Sequence, residues 1–260
     1  MKTLPVVELF HSIQGEGMFT GVPSLFLRVT GCNLRCVFKN SICDTSYTSF
    51  NPDSPIFNNM DEVEYGVRSM LKDHPHTKHL VITGGEPMLY KAGVTELLGR
   101  LGDLKLIVTV ETNGTMGLIQ QLNKDGFNPV NLYSVSPKLS TSVDKACKFL
   151  TQAQSDHHDK IRIDFNALAS FFIHPMASEA QLKFVYSGED SVKEIKNIID
   201  NLNVLYKCNI TVDQIRLMPE ASEPDQLDRI QKECAEVCLK EGWTFCDRLH
   251  LRIWGNKRCV

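Results

Sequence analysis

Six short runs rich in β-branched and aromatic residues set the strongest limit on how this chain can fold: SLFLRV (24–29), HLVITGG (79–85), LIVTVET (106–112), LYSVSP (132–137), QLKFVYSG (181–188) and QIRLMP (214–219). The stretches between them carry apolar residues at helical spacing. Val63, Val67, Met70 and Leu71 form one stripe behind Asp61. Val192, Ile195, Ile198, Ile199 and Leu202 form another after Asp190 and Ser191, either of which can cap a first turn. Strand and helix in alternation imply parallel β/α units with a covered sheet. Six units are too few for a closed eight-fold barrel. The expected fold is therefore α/β, a partial or open TIM-like β/α barrel with functional loops at the C-terminal ends of its strands. A 260-residue chain that is 42% hydrophobic can bury the core this needs, as one large domain or two small ones.

The polar motifs fall where that fold predicts. VITGGEP ends one strand with Gly84, Gly85, Glu86 and Pro87; TVETNG ends another with Glu111, Thr112, Asn113 and Gly114; SVSPK ends a third with Ser136, Pro137 and Lys138. Paired glycines let a ligand approach bare backbone amides, and a neighbouring carboxylate can accept from an ammonium or hydroxyl. The formal net charge of −3 leaves no basic stripe, which argues against nucleic-acid binding and for a small-molecule partner. No apolar run approaches the roughly 20 residues that cross a bilayer, so no membrane partner is expected.

The segment GCNLRCVFKNSICDT (31–45) holds three of the nine cysteines, spaced C-x3-C-x6-C. An odd cysteine count behind a start without a signal peptide points to a reducing, cytoplasmic setting, where clustered thiols are more often metal or redox groups than disulfides. A structural zinc site usually takes four ligands, and residues 44–60 offer no fourth cysteine or histidine. Three thiolates on a cubane iron–sulfur cluster leave one iron open for chemistry.

These residues carry a resemblance. GCNLRC with a third cysteine soon after, followed by GGEP, resembles the radical S-adenosylmethionine (SAM) superfamily. SIQGEGMFTGVPSLFLRVTGC, HLVITGGEPMLY, VETNGT and VSPKL together resemble its 7-carboxy-7-deazaguanine synthase family, almost continuously from residue 6 to 45 and in blocks up to RLHLRIWGNKRCV. The resemblance implies a single radical SAM domain over 1–260. It also implies ring contraction of 6-carboxy-5,6,7,8-tetrahydropterin with loss of ammonia, in queuosine or deazapurine biosynthesis, on a [4Fe-4S] cluster, SAM and Mg²⁺. By the same resemblance Cys32, Cys36 and Cys43 ligate the cluster and Thr45 contributes to Mg²⁺. Ile42, Asp44, Gly84, Gly85, Glu86, Gly114, Ser136, Pro137, Lys138 and Pro219 contact SAM. Ile13, Gln14, Gly15, Glu16, Arg28, Thr112 and His250 bind the pterin, with Arg28 on its carboxylate. No catalytic nucleophile is needed, an external reductase such as a flavodoxin supplies electrons, and a homodimer is expected. Alternative readings are another radical SAM enzyme, such as a glycyl-radical activase, or a non-catalytic regulatory relative.

The chain departs from the family pattern in four places. VFKNSI separates Cys36 from Cys43, four residues more than the usual gap; either it bulges outward and Cys43 still ligates, or the cluster is altered. The retained Cys-Asp-Thr favours the bulge, and loop closure costs only roughly a few tenths of a kcal/mol for that lengthening. Leu251 stands where the family has lysine. Loop insertions near 46–60 and 140–178 have no role readable from the residues, and His157 and His158 within the latter are read as a solvated loop. The remaining Cys147, Cys208, Cys234, Cys238 and Cys246 are read as core or surface thiols, with Cys234 and Cys238 at a spacing that can place two ligands on one helix face.

Overall fold

The computed structural model describes residues 3–39, 41–119, 128–144, 147–174 and 179–260. In chain order the elements are β1 (Val6–Ile13), β2 (Pro23–Val29), β3 (Val37–Phe38), β4 (Ser41–Ile42), α1 (Met60–Asp73), β5 (His79–Gly84), α2 (Lys91–Arg100), β6 (Ile107–Thr112), β7 (Leu132–Val135), α3 (Gln152–Ile161), α4 (Phe165–Ile173), β8 (Glu179–Tyr186), α5 (Glu189–Val204), β9 (Ile215–Pro219), α6 (Pro224–Glu241), β10 (Thr244–Phe245) and α7 (Leu249–Trp254). All six expected runs are strands, β2 and β5 to β9. To them the structure adds β1, antiparallel on β2, and the short β10, parallel on β9.

Spatial order follows chain order, β1-β2-β5-β6-β7-β8-β9-β10, and the two end strands are not paired to each other. Right-handed crossovers that always advance in one direction put the helices α1, α2, α4, α5 and α6 on one face, so the sheet curls towards its other side. The result is an open barrel. Because side chains alternate along a strand, each strand gives one set to the helices and one to the hollow. Leu25, Leu27 and Val29 of β2, Leu80 and Ile82 of β5, and Leu182 and Phe184 of β8 pack outward in the core with Val67, Leu97 and Ile198 of the helices. Arg28, Thr83, Glu111, Ser134 and Lys183, from the alternate positions, line the hollow. At its closed end Ser24 and Thr109 each lie 3.0 Å from a ring nitrogen of His79.

Three local expectations need correction. α5 is capped by neither Asp190 nor Ser191: Gly188, at φ +119°, is its N-cap, and both residues sit inside the first turn. Glu189 and Asp190 there complement the positive end of the helix. α1 begins behind Asn59, whose side chain accepts the Glu62 amide at 3.0 Å, with Asp61 inside the helix. Finally, SDHHDK is not a solvated loop. It lies in α3, and His158 is 1% exposed. Cys234 and Cys238 of α6 are buried in the main core.

Candidate active site

A cavity of about 310 Å³ opens at the C-terminal ends of the strands, between the cysteine loop, β1, β2 and the 248–260 tail. Two kinds of wall enclose it. Cys32, Cys36 and Cys43 stand on one side. The long gap between the last two closes on itself as the β3–β4 hairpin, in which Val37 pairs with Ile42, and the Cys43 amide donates to the Cys36 carbonyl at 3.1 Å. Four extra residues thus leave Cys36 and Cys43 side by side. Burial pushes the Cys32 thiol up to about 11 and raises Cys36 and Cys43 as well, with Lys138 opposing it at all three. The Leu34 amide points at Cys32 Sγ from 3.4 Å.

The other wall is dense in charge. Glu16 pairs with Lys183 and, at 3.1 Å, with Arg248, which also reaches Asp44 at 2.5 Å and the Ala221 carbonyl. Burial alone raises the carboxyl of Glu16, but Lys183 and Arg248 outweigh it and hold it well below the usual range. Asp44 is lowered in the same way, burial opposing and Arg248 winning. Gln14 donates to Glu111 at 3.2 Å, and Glu111 accepts from Thr83 at 2.8 Å. Arg28 donates through Nε to Glu8 at 2.7 Å; Glu8 also accepts from Tyr47 at 3.0 Å and from Arg258 at 2.7 Å. Arg258 in turn stacks 3.6 Å over the Tyr47 ring and reaches Asp53 at 2.8 Å, which ties the tail to the rim.

The cavity gathers most of the residues singled out from the sequence: Ile13, Gln14, Gly15, Glu16, Arg28, Ile42, Asp44, Thr45, Gly84, Gly85, Thr112, Ser136, Lys138, Pro219 and His250, with the three cysteines. Three others stand outside its lining. Glu86 is fully buried and gives its carboxylate to Thr112 Oγ1 (2.7 Å) and the amides of Asn113 (2.6 Å) and Met88 (2.9 Å). Gly114 packs on Leu168 and Val135, and Pro137 is likewise not on the wall. The paired glycines also differ from expectation. A Cβ on Gly85 would lie 2.0 Å from the Gly31 carbonyl oxygen, and the amides of Gly85 and Glu86 donate to Val29 and Gly31. Their bare backbone is used first to dock the GGEP turn against the cysteine loop. Gly15 serves a similar end: His250 Nδ1 lies 2.0 Å from where its Cβ would be.

Glu8, Lys183 and Arg248 were missed, and Glu111, noted at its strand end, was given no role. Glu111 and Lys183 are acids and bases inside strongly apolar strand runs, a pattern that marks the hollow face of a barrel. Glu8 and Arg248 carried no such signal. Leu251 joins Ala221 and Leu227 in a small apolar cluster.

Among the described residues no three His, Cys, Asp or Glu side chains converge to hold a single metal ion. Three thiols on one wall of the cavity, with the Asp44 carboxylate 3.9 Å from Cys43 Sγ but paired to Arg248, instead fit a multi-iron group ligated at separate irons. Their raised pKa values mean that loading such a group releases protons.

The family model of the radical SAM superfamily matches residues 27–154, which include the cysteine loop, GGEP and TNG. A 7-carboxy-7-deazaguanine synthase of Halobacterium salinarum is 36% identical over 97% of this chain and 91% of its own. Relatives with the same name from Rhodopirellula baltica and Pyrobaculum aerophilum are 33% and 31% identical, covering 99% and 97% of this chain and 89% and 96% of theirs. A crystal structure of QueE from Escherichia coli superposes with a TM-score of 0.57 at 22% identity, over 95% of this chain and 94% of the other, and so shares the fold.

Proposed function

Because this chain belongs to the 7-carboxy-7-deazaguanine synthase family of radical SAM enzymes, we propose that it contracts 6-carboxy-5,6,7,8-tetrahydropterin to 7-carboxy-7-deazaguanine with loss of ammonia, acting as one domain over 1–260. The observation that carries the reading is the cavity with three thiols on one wall and Gln14, Glu16 and Arg28 on the other. In this reading Cys32, Cys36 and Cys43 hold a [4Fe-4S] cluster. Ile42, Asp44, Gly84, Gly85, Ser136, Lys138 and Pro219 face SAM, while Glu86, Gly114 and Pro137 shape that side from behind. When bound, the cluster and SAM would supply radical hydrogen-abstraction chemistry.

The chain's own residues position and shield. Arg28 binds the substrate carboxylate through its terminal nitrogens, since the contact with Glu8 uses Nε. Glu16, kept ionised by Lys183 and Arg248, and the amide of Gln14 pair with the donors and acceptors of the 2-amino-4-oxo ring. Ile13, Gly15, Thr112 and His250 complete that edge. Thr45 would offer one hydroxyl to Mg²⁺, whose other oxygen ligands would have to come from substrate and water. The tail, pinned by Arg258, limits water at the rim. A flavodoxin-type reductase in the cytoplasm supplies electrons, and the enzyme works as a homodimer. Among the described residues no helix is long and apolar enough to cross a membrane.

The test is an anaerobic assay of reconstituted protein with the carboxytetrahydropterin, SAM, Mg²⁺ and a strong reductant, read by mass spectrometry. Accumulation of both 7-carboxy-7-deazaguanine and 5′-deoxyadenosine is expected. Deoxyadenosine without the deazaguanine would show the substrate to be wrong, and neither product from protein that holds its cluster would defeat the enzymatic reading.

A further inference from the structure

Two departures from the family pattern meet in space. Val37, at the root of the hairpin that fills the long gap, forms a parallel bridge to Val143, which lies in the extra segment between β7 and β8. From that segment α3 also places His158 beneath the cysteine loop. Its Nδ1 accepts the backbone N–H of Arg35, between Cys32 and Cys36, at 3.0 Å, and its Nε2 lies 3.0 Å from Ser142 Oγ. The Ser142 hydroxyl donates to the Leu139 carbonyl at 2.7 Å, so it accepts from Nε2–H and the ring is fixed as the neutral Nε2–H tautomer. Burial, followed by Arg162 and Lys138, pushes His158 down to about 4, which keeps Nδ1 an acceptor. The side chain of Arg35 folds back on the carbonyls of Cys32 (2.6 Å) and Leu34 (2.8 Å). One histidine therefore ties Arg35 to Ser142, next to the residue that pairs with the hairpin.

We propose that Ser142, Val143 and His158 brace the widened cysteine loop and that His158 is its positioning residue, holding the Arg35 peptide so that Cys32 and Cys36 face the cavity. The proposal gives the extra segment a purpose: a longer loop has more conformations, and fixing its root from outside selects one. It rests on the cluster reading for its functional value, but its geometry does not.

The experiment therefore begins with cluster-free protein. Amide hydrogen exchange at Arg35 is compared in wild type, His158→Leu, His158→Asn and Phe171→Leu. Leucine leaves the Arg35 N–H without its acceptor, asparagine retains one, and Phe171→Leu perturbs α4 where Phe171 packs on the Tyr133 ring. Arg35 exchange is expected to rise about tenfold or more in His158→Leu, and to stay near wild type in the other two. Iron and sulfide retention in air, after anaerobic loading, should follow the same order. Should His158→Leu fail to fold, Ser142→Ala, which frees the ring, is expected to give the same change in weaker form. Wild-type exchange at Arg35 in His158→Leu, or equal acceleration in Phe171→Leu, would overturn the brace. If exchange responds as expected but wild type takes up no iron, the brace stands and the [4Fe-4S] reading fails.

Discussion

The thiol wall and the charged wall of the cavity are built on opposite principles. The thiol wall is local in origin: its three cysteines come from twelve consecutive positions joined by a hairpin, although His158 and the GGEP turn hold that loop from outside. The charged wall is global. Glu16 meets Lys183 across 167 positions, and Asp44 meets Arg248 across 204. Local construction lets one wall carry a long gap, because the hairpin closes it and leaves the Cys36 and Cys43 backbones hydrogen-bonded. The other wall depends on the whole sheet having curled.

That contrast can be broken at several strengths. Cys43→Ala should have the largest effect, removing a ligand whose place nothing else fills; product formation is expected to fall by about a thousandfold or more with iron content reduced in parallel, while the apo fold melts near wild type. Lys183→Met leaves Glu16 with Arg248 as its remaining cation and should lower unfolding stability by about 1–3 kcal/mol, seen as a shifted urea midpoint. Adding Glu16→Gln should recover part of that loss.

A pH titration sharpens the thiol side. His158 binds its proton near 6.5 when unfolded but only near 4 when folded, so the unfolded state holds more protons in that window. Stability is complete above pH 6.5 and declines as pH falls towards 4, by at most about 3 kcal/mol from this group. Urea midpoints at pH 7 and 5 should differ less in His158→Asn than in wild type. A further change acts on binding: Arg28→Ala removes the carboxylate clamp and should reduce kcat/KM by about a hundredfold, mostly through KM. Smallest, Glu8→Gln weakens the anchor of Arg28 and is expected to raise KM about tenfold with kcat little changed, and Arg28→Lys should not mimic it.

Much of the fold was legible. SLFLRV and QLKFVYSG read as strands because their apolar residues alternate or crowd as a covered sheet requires, and both are strands. VVELFHSI was overlooked as β1, since Glu8 and His11 interrupt it; Glu8 is there for Arg28, Tyr47 and Arg258 rather than for strand formation. His158 was misread because a polar run such as SDHHDK looks solvated until its helix is laid against another loop. Glu86 was expected in the cavity, yet its burial and three donors turn it inward.

The sequence by itself determined the alternation of strands and helices, the clustering of three thiols, and the set of polar residues at strand ends, because periodicity and short spacing are properties of neighbouring positions. Only the tertiary structure decided which face of each strand lines the hollow, which carboxylates receive cations, and how a long cysteine gap is held. Those outcomes depend on the curl of an open sheet, which brings distant residues within hydrogen-bond reach, and no local pattern encodes that distance.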